Sequence, residues 1–396
     1  MTATATAHVV TRLPARQAQP HDPFTPFAQE VFAELPRADQ RRWARVYLEG
    51  LLAAPGRKSI RQLAATSGLP GAALSLQQFV NASPWDWKPV RRALLRWSEQ
   101  RTAATAWTVG LTAIPKRGEH SAGVHRRFVP ALGRTINCQV GVGIFLAGDG
   151  RQIPVDWRLL VPGRWSDDEE LRARARIPAL YRERPLAAYV LGMVESLARE
   201  TGALPLPVVA DMSHEQDAGS LVRALGDRRY DHVIAVPPSL PLLPFAQDPA
   251  DGGPLGARLL LGRHGSAVTA LHGTAAGGTR GVRVLTCLVR LPGVTATRSV
   301  YRLFAEWDPV GNRPARLWLT NLIHDRTERL LTLAAAQDAS ATLDTLAEDF
   351  GISAFEGRSY PGWHHHMTLV SAAYAFARLS GTGHGAHRVP VCRATA

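Results

Sequence analysis

Residues 135–157 have the sequence TINCQVGVGIFLAGDGRQIPVDW, and this stretch decides the fold. Two runs rich in apolar and β-branched residues, 135–146 and 152–157, flank the segment Gly148-Asp149-Gly150. Glycine and aspartate tolerate the left-handed backbone that a tight hairpin turn requires. The stretch therefore predicts two antiparallel strands joined by a short turn.

Strands and helices alternate around this hairpin. An apolar strand is predicted before it, and a helix, a strand, a helix and a strand are predicted after it. The predicted elements are, in chain order, 107–111, 186–201, 207–210, 216–225 and 232–236. Three strands followed by alternating helices and strands indicate an α/β fold with a mixed sheet flanked by helices.

The sequence before the hairpin predicts a helical N-terminal domain over residues 26–104. Within it, residues 59–65 and a second helical stretch through Val80 flank the break Gly68-Leu69-Pro70. Two short helices around a glycine-containing turn are the outline of a DNA-binding helix-turn-helix. Most helical hairpins bind no nucleic acid, so an ordinary helical hairpin stays the alternative.

The remaining segments complete the predicted organisation. We expect a charged loop at 164–176, a Pro- and Gly-rich insertion at 237–280, and loose tails at 1–25 and 381–396. Segments 105–236 and 281–380 are predicted to form one α/β domain. Its later part holds strands at 282–291, 298–307 and 315–319 and helices at 325–350 and 364–380.

Charge and composition narrow the classes of function. Lys plus Arg number 46 against 33 Asp plus Glu, a net charge of +13, and lysine occurs only at Lys58, Lys88 and Lys116. Arginine binds phosphate in a bidentate manner, so this surplus favours nucleic acid as a partner. Arginine-rich codon usage is the alternative explanation.

The sequence shows neither a membrane-spanning segment nor a signal peptide, and this predicts a cytoplasmic protein. No apolar run reaches the ~20 residues that span a bilayer, and no apolar stretch follows the N-terminal arginines as in a signal peptide. Cys138, Cys287 and Cys392 are far apart and outside any CxxC pattern, so we expect free thiols.

Several stretches together resemble the DDE-type insertion-sequence transposases. They occur in family order from about residue 40 to 380, which makes chance similarity a poor explanation. They are RRWARVY (41–47), GRKSI (56–60), QQFVNASPWDW (77–87), PKRG (115–118), HSAGV (120–124), VDWRL (155–159), AD (210–211) and FEGRSYPGWHHH (355–366).

The resemblance implies an RNase-H-like core and a particular chemistry. Members of this family cut and join DNA strands with two divalent metal ions, Mg²⁺ or Mn²⁺, held by an Asp, a second Asp and a Glu from three separate elements. Such hard cations bind carboxylate oxygens, and the metal pair stabilises the attacking and leaving oxygens of phosphoryl transfer.

The second aspartate of this set is present. Asp211 follows the apolar run Val208-Val209-Ala210 at the predicted end of a strand. An N-cap role is the alternative, because Ser213 and Glu215 follow it. The resemblance favours the position of a catalytic acid and of a metal ligand.

The resemblance also implies that the other two acids of the set are missing from this chain. Gly110 and Leu111 stand where the family has its first acidic pair, and neither side chain can ligate a metal. Counting back from Gly351 puts the family's Glu at Ser340, and its following Lys at Ala347. The acids that could substitute are Asp149, Asp156, Asp344, Glu348 and Glu356, of which Glu356 lies within a family motif.

The C-terminal motif predicts contacts with DNA. Consecutive helical residues point ~100° apart, so His364, His365 and His366 cannot all ligate one ion. In one interpretation, one or two of them contact phosphate or pack near the former catalytic pocket, beside Arg358 and Trp363. In the other, they are polar surface residues at the start of a helix. The DNA-contact candidates are Lys116, Arg117, Arg358, Trp363, His364 and His365.

Three hypotheses follow. The first is a DNA-binding, nucleoid-associated relic of a transposase without strand cleavage. The second is an active Mg²⁺- or Mn²⁺-dependent transposase with relocated carboxylates. The third is a repurposed pocket or protein-binding scaffold with no role on DNA. The basic charge favours the first over the third, and the missing acids favour the first over the second; the oligomeric state stays open between a monomer and a homodimer.

Overall fold

The computed structural model describes residues 22–129, 132–201, 205–245, 253–273, 278–293, 299–308, 313–314 and 316–381. Its N-terminal part is helical, as the sequence predicts. The five helices are α1 (Phe24–Val31), α2 (Ala38–Ala53), α3 (Ile60–Ser67), α4 (Ala72–Asn81) and α5 (Trp87–Glu99). Ser59 caps α3 through a hydrogen bond from the Gln62 backbone, and Gly68 ends it with φ 63°, in the left-handed region.

The predicted hairpin is confirmed. Strands β3 (Arg134–Gly148) and β4 (Arg151–Leu159) pair antiparallel around a turn in which Asp149 has φ 52° and Gly150 φ 69°. Both residues adopt the positive φ that this turn needs. Strand β1 (Ala104–Pro115) is longer than predicted, and the sequence analysis missed the edge strand β2 (His125–Val129), which pairs with β3.

Two parallel strands continue the sheet beyond β1. They are β5 (Val208–Asp211) and β6 (His232–Val236), connected by helix α9 (Ala218–Asp227), while α8 (Leu186–Thr201) leads into β5. The resulting order β4-β3-β1-β5-β6, with β1, β5 and β6 parallel, is that of an RNase-H-like core. The predicted fold class is thus confirmed.

The sheet extends further than this core. Strand β13 pairs antiparallel with β6, β11 with β13, and β10 with β11, β9 and β7. Their bounds, with the helix and strands between them, are β7 (Pro241–Pro244), β8 (Leu255–Gly256), α10 (Ala257–His264), β9 (Ser266–Gly273), β10 (Thr279–Arg290), β11 (Tyr301–Asp308), β12 (Arg313–Pro314) and β13 (Leu317–Thr320).

The segment 237–280, predicted as an insertion, lacks periodicity in sequence. Where described it forms helix α10 and strands that join the sheet, because partners far away in sequence supply the hydrogen bonds of these strands. One local prediction is wrong. The expected loop at 164–176 forms the short helices α6 (Arg164–Asp167) and α7 (Glu169–Ala175). Asp168 caps α7 by accepting a hydrogen bond from the Leu171 backbone at 2.8 Å.

The last helices complete the fold. They are α11 (Thr327–Ala335), α12 (Ser340–Glu348) and α13 (Tyr360–Leu379). Helix α13 is almost entirely buried and packs against α2, α4, α5 and β4. One hydrophobic cluster therefore runs from the N-terminal helices through α13 to the sheet.

The remaining expectations concern the tails, the thiols and membranes. Most of both predicted tails, and Cys392, lie outside the described residues. Cys138 and Cys287 are free thiols. Among the helices that the structure describes, none has the length and apolarity needed to cross a membrane.

Candidate functional site

Asp211 lies at the end of β5, where the sequence places it. One carboxylate oxygen accepts a hydrogen bond from the Ser213 backbone at 2.9 Å, the Asx-type contact of the alternative interpretation. The other oxygen forms an ion pair with Arg316 Nη1 at 3.2 Å. The Asp211 side chain is 24% exposed and that of Arg316 47%. A cation of the protein itself therefore neutralises this carboxylate.

Gly110 is the neighbour of Asp211 on the sheet. Strands β1 and β5 pair in register up to Val109 and Ala210, so the next step brings Gly110 beside Asp211. Paired residues of adjacent strands point to the same face. The position that the family resemblance assigns to the first acid is thus adjacent to the position that it assigns to the second.

The space above Gly110 is filled by apolar groups. A Cβ atom at Gly110 would lie 2.9 Å from Phe145 Cε2 and 3.3 Å from the Cβ of Ala339. Phe145 comes from β3, and Ala339 comes immediately before α12. Neither Phe145 nor Ala339 can ligate a metal, and both are buried. An aspartate at position 110 would have to displace one of them.

Leu111 and Ser340, the other positions that the resemblance assigns to acids, have no carboxylate. Leu111 is 37% exposed and, by strand alternation, faces the side of the sheet opposite to Gly110. Ser340 is exposed at the start of α12, where its backbone donates to the Asp338 carboxylate at 2.9 Å. Hydrogen bonds from Ser340 lower the pKa of Asp338, so this acid is ionised at neutral pH.

Arg316 is a site residue that the sequence analysis missed. It precedes β13, and its guanidinium donates to Gln337 Oε1 at 3.0 Å and lies over the Trp318 ring at 5.8 Å from the centroid. The positive charge of Arg316 also lowers the pKa of Asp338. The signal that could have found it is its place just before a strand; the pairing of that strand beside β6 is not visible in sequence.

A pair of divalent metal ions does not fit these residues. In the part of the chain that the structure describes, no group of three or more His, Cys, Asp or Glu side chains could hold a metal ion. The Asp211 carboxylate already forms an ion pair with Arg316. Two hard dications need several carboxylates, because one carboxylate leaves most of their charge uncompensated.

The acids that could substitute have other partners or locations. Asp149 accepts from the Ala103 backbone at 3.0 Å, and Asp156 pairs with Arg91 and Arg158. Asp344 and Glu348 are exposed on α12. Glu356 is also exposed and pairs with Arg57 at 3.0 Å.

The basic candidates for DNA contact differ in exposure. Arg117 and Arg358 are exposed. Lys116 is half-buried, donates its ammonium to the Phe355 carbonyl, and lies 5.7 Å from the centroid of the Phe355 ring. Burial lowers the pKa of Lys116 to about 8.

Trp363, His364 and His365, the other expected DNA contacts, lie in the protein interior. They are 0%, 0% and 1% exposed. His364 stacks on Trp87 with ring centroids 4.4 Å apart, and its Nδ1 accepts from Arg91 Nη2 at 3.1 Å. Their contacts are thus with protein, notably with α5.

His365 and His366 also connect α13 to the N-terminal helices. The nitrogens of His365 face the Val80 and Trp85 carbonyls at 2.8 Å each. His366 Nε2 is 3.0 Å from the Gly351 carbonyl, and its Nδ1 is 2.9 Å from the Tyr47 hydroxyl. A neutral His366 satisfies both contacts if Nε2–H donates and Nδ1 accepts.

Burial disfavours the charged form of all these imidazoles. It lowers the pKa of His365 and of His366 to about 4, although the two carbonyls that face the nitrogens of His365 act in the opposite direction. The pKa of His364 is lowered well below its usual value by burial and by the charges of Arg91 and Arg158.

Arg91 is the other residue that the sequence analysis missed. Its guanidinium donates to Asp156 Oδ1 at 2.8 Å, to the Trp157 carbonyl at 2.7 Å and to Thr368 Oγ1 at 2.8 Å, in addition to His364. It is 4% exposed. This arginine thus ties α5, β4 and α13 together in the interior.

The sheet order, with Asp211 at the end of β5, defines an RNase-H-like protein. A family model described as DDE superfamily endonuclease matches residues 30–279, more than half of the chain. The chain belongs to this family. The match includes Gly110 and Asp211 and ends before α12. No curated protein matches the chain.

Proposed function

We propose that this protein is a DNA-binding descendant of a DDE transposase that does not cleave DNA strands. The observation that carries the proposal is the state of the acid positions. Asp211 is paired with Arg316, and its neighbour Gly110 is covered by Phe145 and Ala339. A site of this kind lacks the negative charge that phosphoryl transfer with two metal ions requires.

The surface of the N-terminal helices supports DNA binding. Helices α3 and α4 form the two arms of a helix-turn-helix outline, and α4 presents Leu74, Gln77 and Gln78 to solvent. Glutamine pairs with adenine in the major groove, and apolar groups contact the thymine methyl. In this proposal the helical segment 26–104 binds the duplex, together with the exposed Arg117 and Arg358.

The test combines binding and cleavage by the full chain. Fluorescence anisotropy with a labelled duplex should show affinity that falls steeply with salt, because phosphate contacts release counterions. Supercoiled plasmid incubated with Mg²⁺ or Mn²⁺ should be nicked no faster by the wild type than by Asp211→Asn.

Two results would contradict the proposal in different ways. Metal-dependent nicking that disappears in Asp211→Asn would show an active enzyme with relocated carboxylates. No affinity for duplex DNA, even at low salt, would favour a scaffold or a repurposed pocket instead.

A further inference from the structure

Helix α5 carries a row of basic residues on its solvent face. Lys88, Arg92 and Arg96 are spaced four residues apart and are all exposed. Residues four apart in a helix lie on one face with a rise of about 6 Å, so the row is about 12 Å long. Arg91, one position away from Arg92, points inward and is buried. We call Lys88, Arg92 and Arg96 the α5 row.

The charges of the α5 row are not used inside the protein. In the described ranges, none of the three side chains forms an ion pair, and none donates a hydrogen bond from its charged group. Arg92 acts on one acid at longer range, Glu200, whose pKa it lowers against the larger opposing effect of burial. Asp86 is used as the N-cap of α5, where it accepts from the Lys88 backbone at 3.0 Å.

Several other arginines, by contrast, form ion pairs. Arg37, the N-cap of α2, pairs with Asp39 at 2.5 Å, and Arg45 on α2 pairs with Glu49 at 2.9 Å. Elsewhere Arg174 pairs with Glu170 and Arg329 with Asp325. These guanidinium groups form ion pairs with neighbouring carboxylates, whereas no side chain of the α5 row forms an ion pair within the described residues.

We propose that the α5 row binds the phosphate backbone of duplex DNA. Three cations at a regular spacing of about 6 Å suit a strand with repeating charges better than a single acidic group. Backbone contacts of this kind fix the position of a duplex without selecting its sequence. The inference rests on the proposed DNA binding and identifies a surface for it outside the helix-turn-helix and the Asp211 site.

The experiment measures the salt dependence of affinity for a labelled random-sequence duplex. It compares the full-length wild type, the triple variant Lys88→Gln/Arg92→Gln/Arg96→Gln, and the matched control Arg174→Gln/Arg228→Gln/Arg329→Gln. The control removes the same three charges from arginines that pair with Glu170, Glu195 and Asp325. Any effect of net charge alone is therefore equal in the two variants.

We expect the slope of log K against log salt to fall by about 3 in the α5 variant and by less than 1 in the control. Affinity at ~0.1 M salt should fall on the order of 10²-fold in the α5 variant. The single change Arg92→Gln, which should lower the slope by about 1, tests the same surface if the triple variant does not fold.

The outcomes separate this inference from the proposed function. Equal slopes in the α5 variant and the control, with a wild type that binds DNA, would overturn the inference alone. A wild type without affinity for DNA would overturn both. A variant that loses binding to phosphatidylserine vesicles but keeps the wild-type slope on DNA would also overturn the inference.

Discussion

The start of α13 and the surroundings of Asp211 are two polar regions of the same molecule that differ in burial and in the number of their contacts. At α13, three consecutive histidines and Arg91 are buried, and all take part in contacts between helices. At Asp211, a partly exposed carboxylate has one ion pair and stands beside a glycine. Side chains in the first region hold the fold together, while the second, in the proposed function, no longer has the acids that strand cleavage requires.

The comparison teaches that a histidine-rich motif need not be a reactive site. The triple histidine belongs to the longest of the stretches on which the family resemblance rests, yet its rings serve packing and hydrogen bonding. Buried polar groups are costly to change, because a lost partner leaves another group unsatisfied. An exposed carboxylate site has no such constraint, so it can lose acids while the protein still folds.

The largest effect is expected when the stability of the protein is measured at acid pH. His365, His366 and the buried His232 of β6 have pKa values lowered to about 4 in the folded protein. As the pH falls below 6.5, the ordinary pKa of histidine, these residues therefore bind protons in the unfolded chain before they do so in the folded one. Stability from these groups is complete above pH 6.5 and is lost as the pH falls towards 4. Each histidine should contribute about 1.4 kcal/mol per pH unit in that window.

Urea unfolding at a series of pH values measures this effect. His366→Gln should reduce the slope of unfolding free energy against pH by the contribution of one group, whatever it does to the stability at pH 7. A wild type whose stability stays constant between pH 6.5 and 4 would show that these rings are not buried in neutral form.

The second test removes the central cation of the α13 region. Arg91→Ala leaves Asp156 without its closest partner in the interior, and breaking a buried pair costs about 3–5 kcal/mol. The matched control is Arg92→Ala, one residue further on the exposed face of α5, where a change within about 0.5 kcal/mol is expected. Thermal unfolding of the two variants should differ clearly. Equal stability would argue against a structural role for the network around Arg91.

The smallest effect is expected at the acid site itself. Gly110→Ala places a methyl group 2.9 Å from Phe145 and 3.3 Å from Ala339, an overpacking that costs about 1–3 kcal/mol. Gly118→Ala is the control, because nothing lies within 4 Å of a Cβ atom there. Denaturant unfolding compares the two. A Gly110→Ala variant as stable as the control would mean that the space beside Asp211 is open.

Sequence patterns predicted much of the fold because they depend on local chemistry. The Asp149-Gly150 turn, the apolar run before Asp211 and the periodicity of the N-terminal helices all act within a few residues. Strand β9 escaped prediction, because its hydrogen bonds come from β10 and its own composition is ordinary. The helix α7 escaped it too, because a charged composition hid the N-cap at Asp168.

For the candidate site, the sequence indicated which residues occupy the acid positions but not which side chains surround them. The resemblance assigned Gly110 and Asp211 to two acid positions, and strand pairing brings these two residues side by side. The pairing of Asp211 with Arg316 could not be predicted, because it joins the end of β5 to a residue 105 positions later, just before β13. The burial of His364 could not be predicted either, because an amphipathic pattern gives no sign that both sides of a helix will be covered.

By itself, the amino-acid sequence determined the class of fold, the order of the core elements and the family. It did so because turns, apolar runs and short motifs carry their information locally. Only the tertiary structure decided which charges are compensated. Arg91 and Arg92 are the same residue type at adjacent positions, yet helix geometry places one against Asp156 and leaves the other in solvent. The interaction energy of a charged side chain depends on the groups around it, and distant parts of the chain supply those groups.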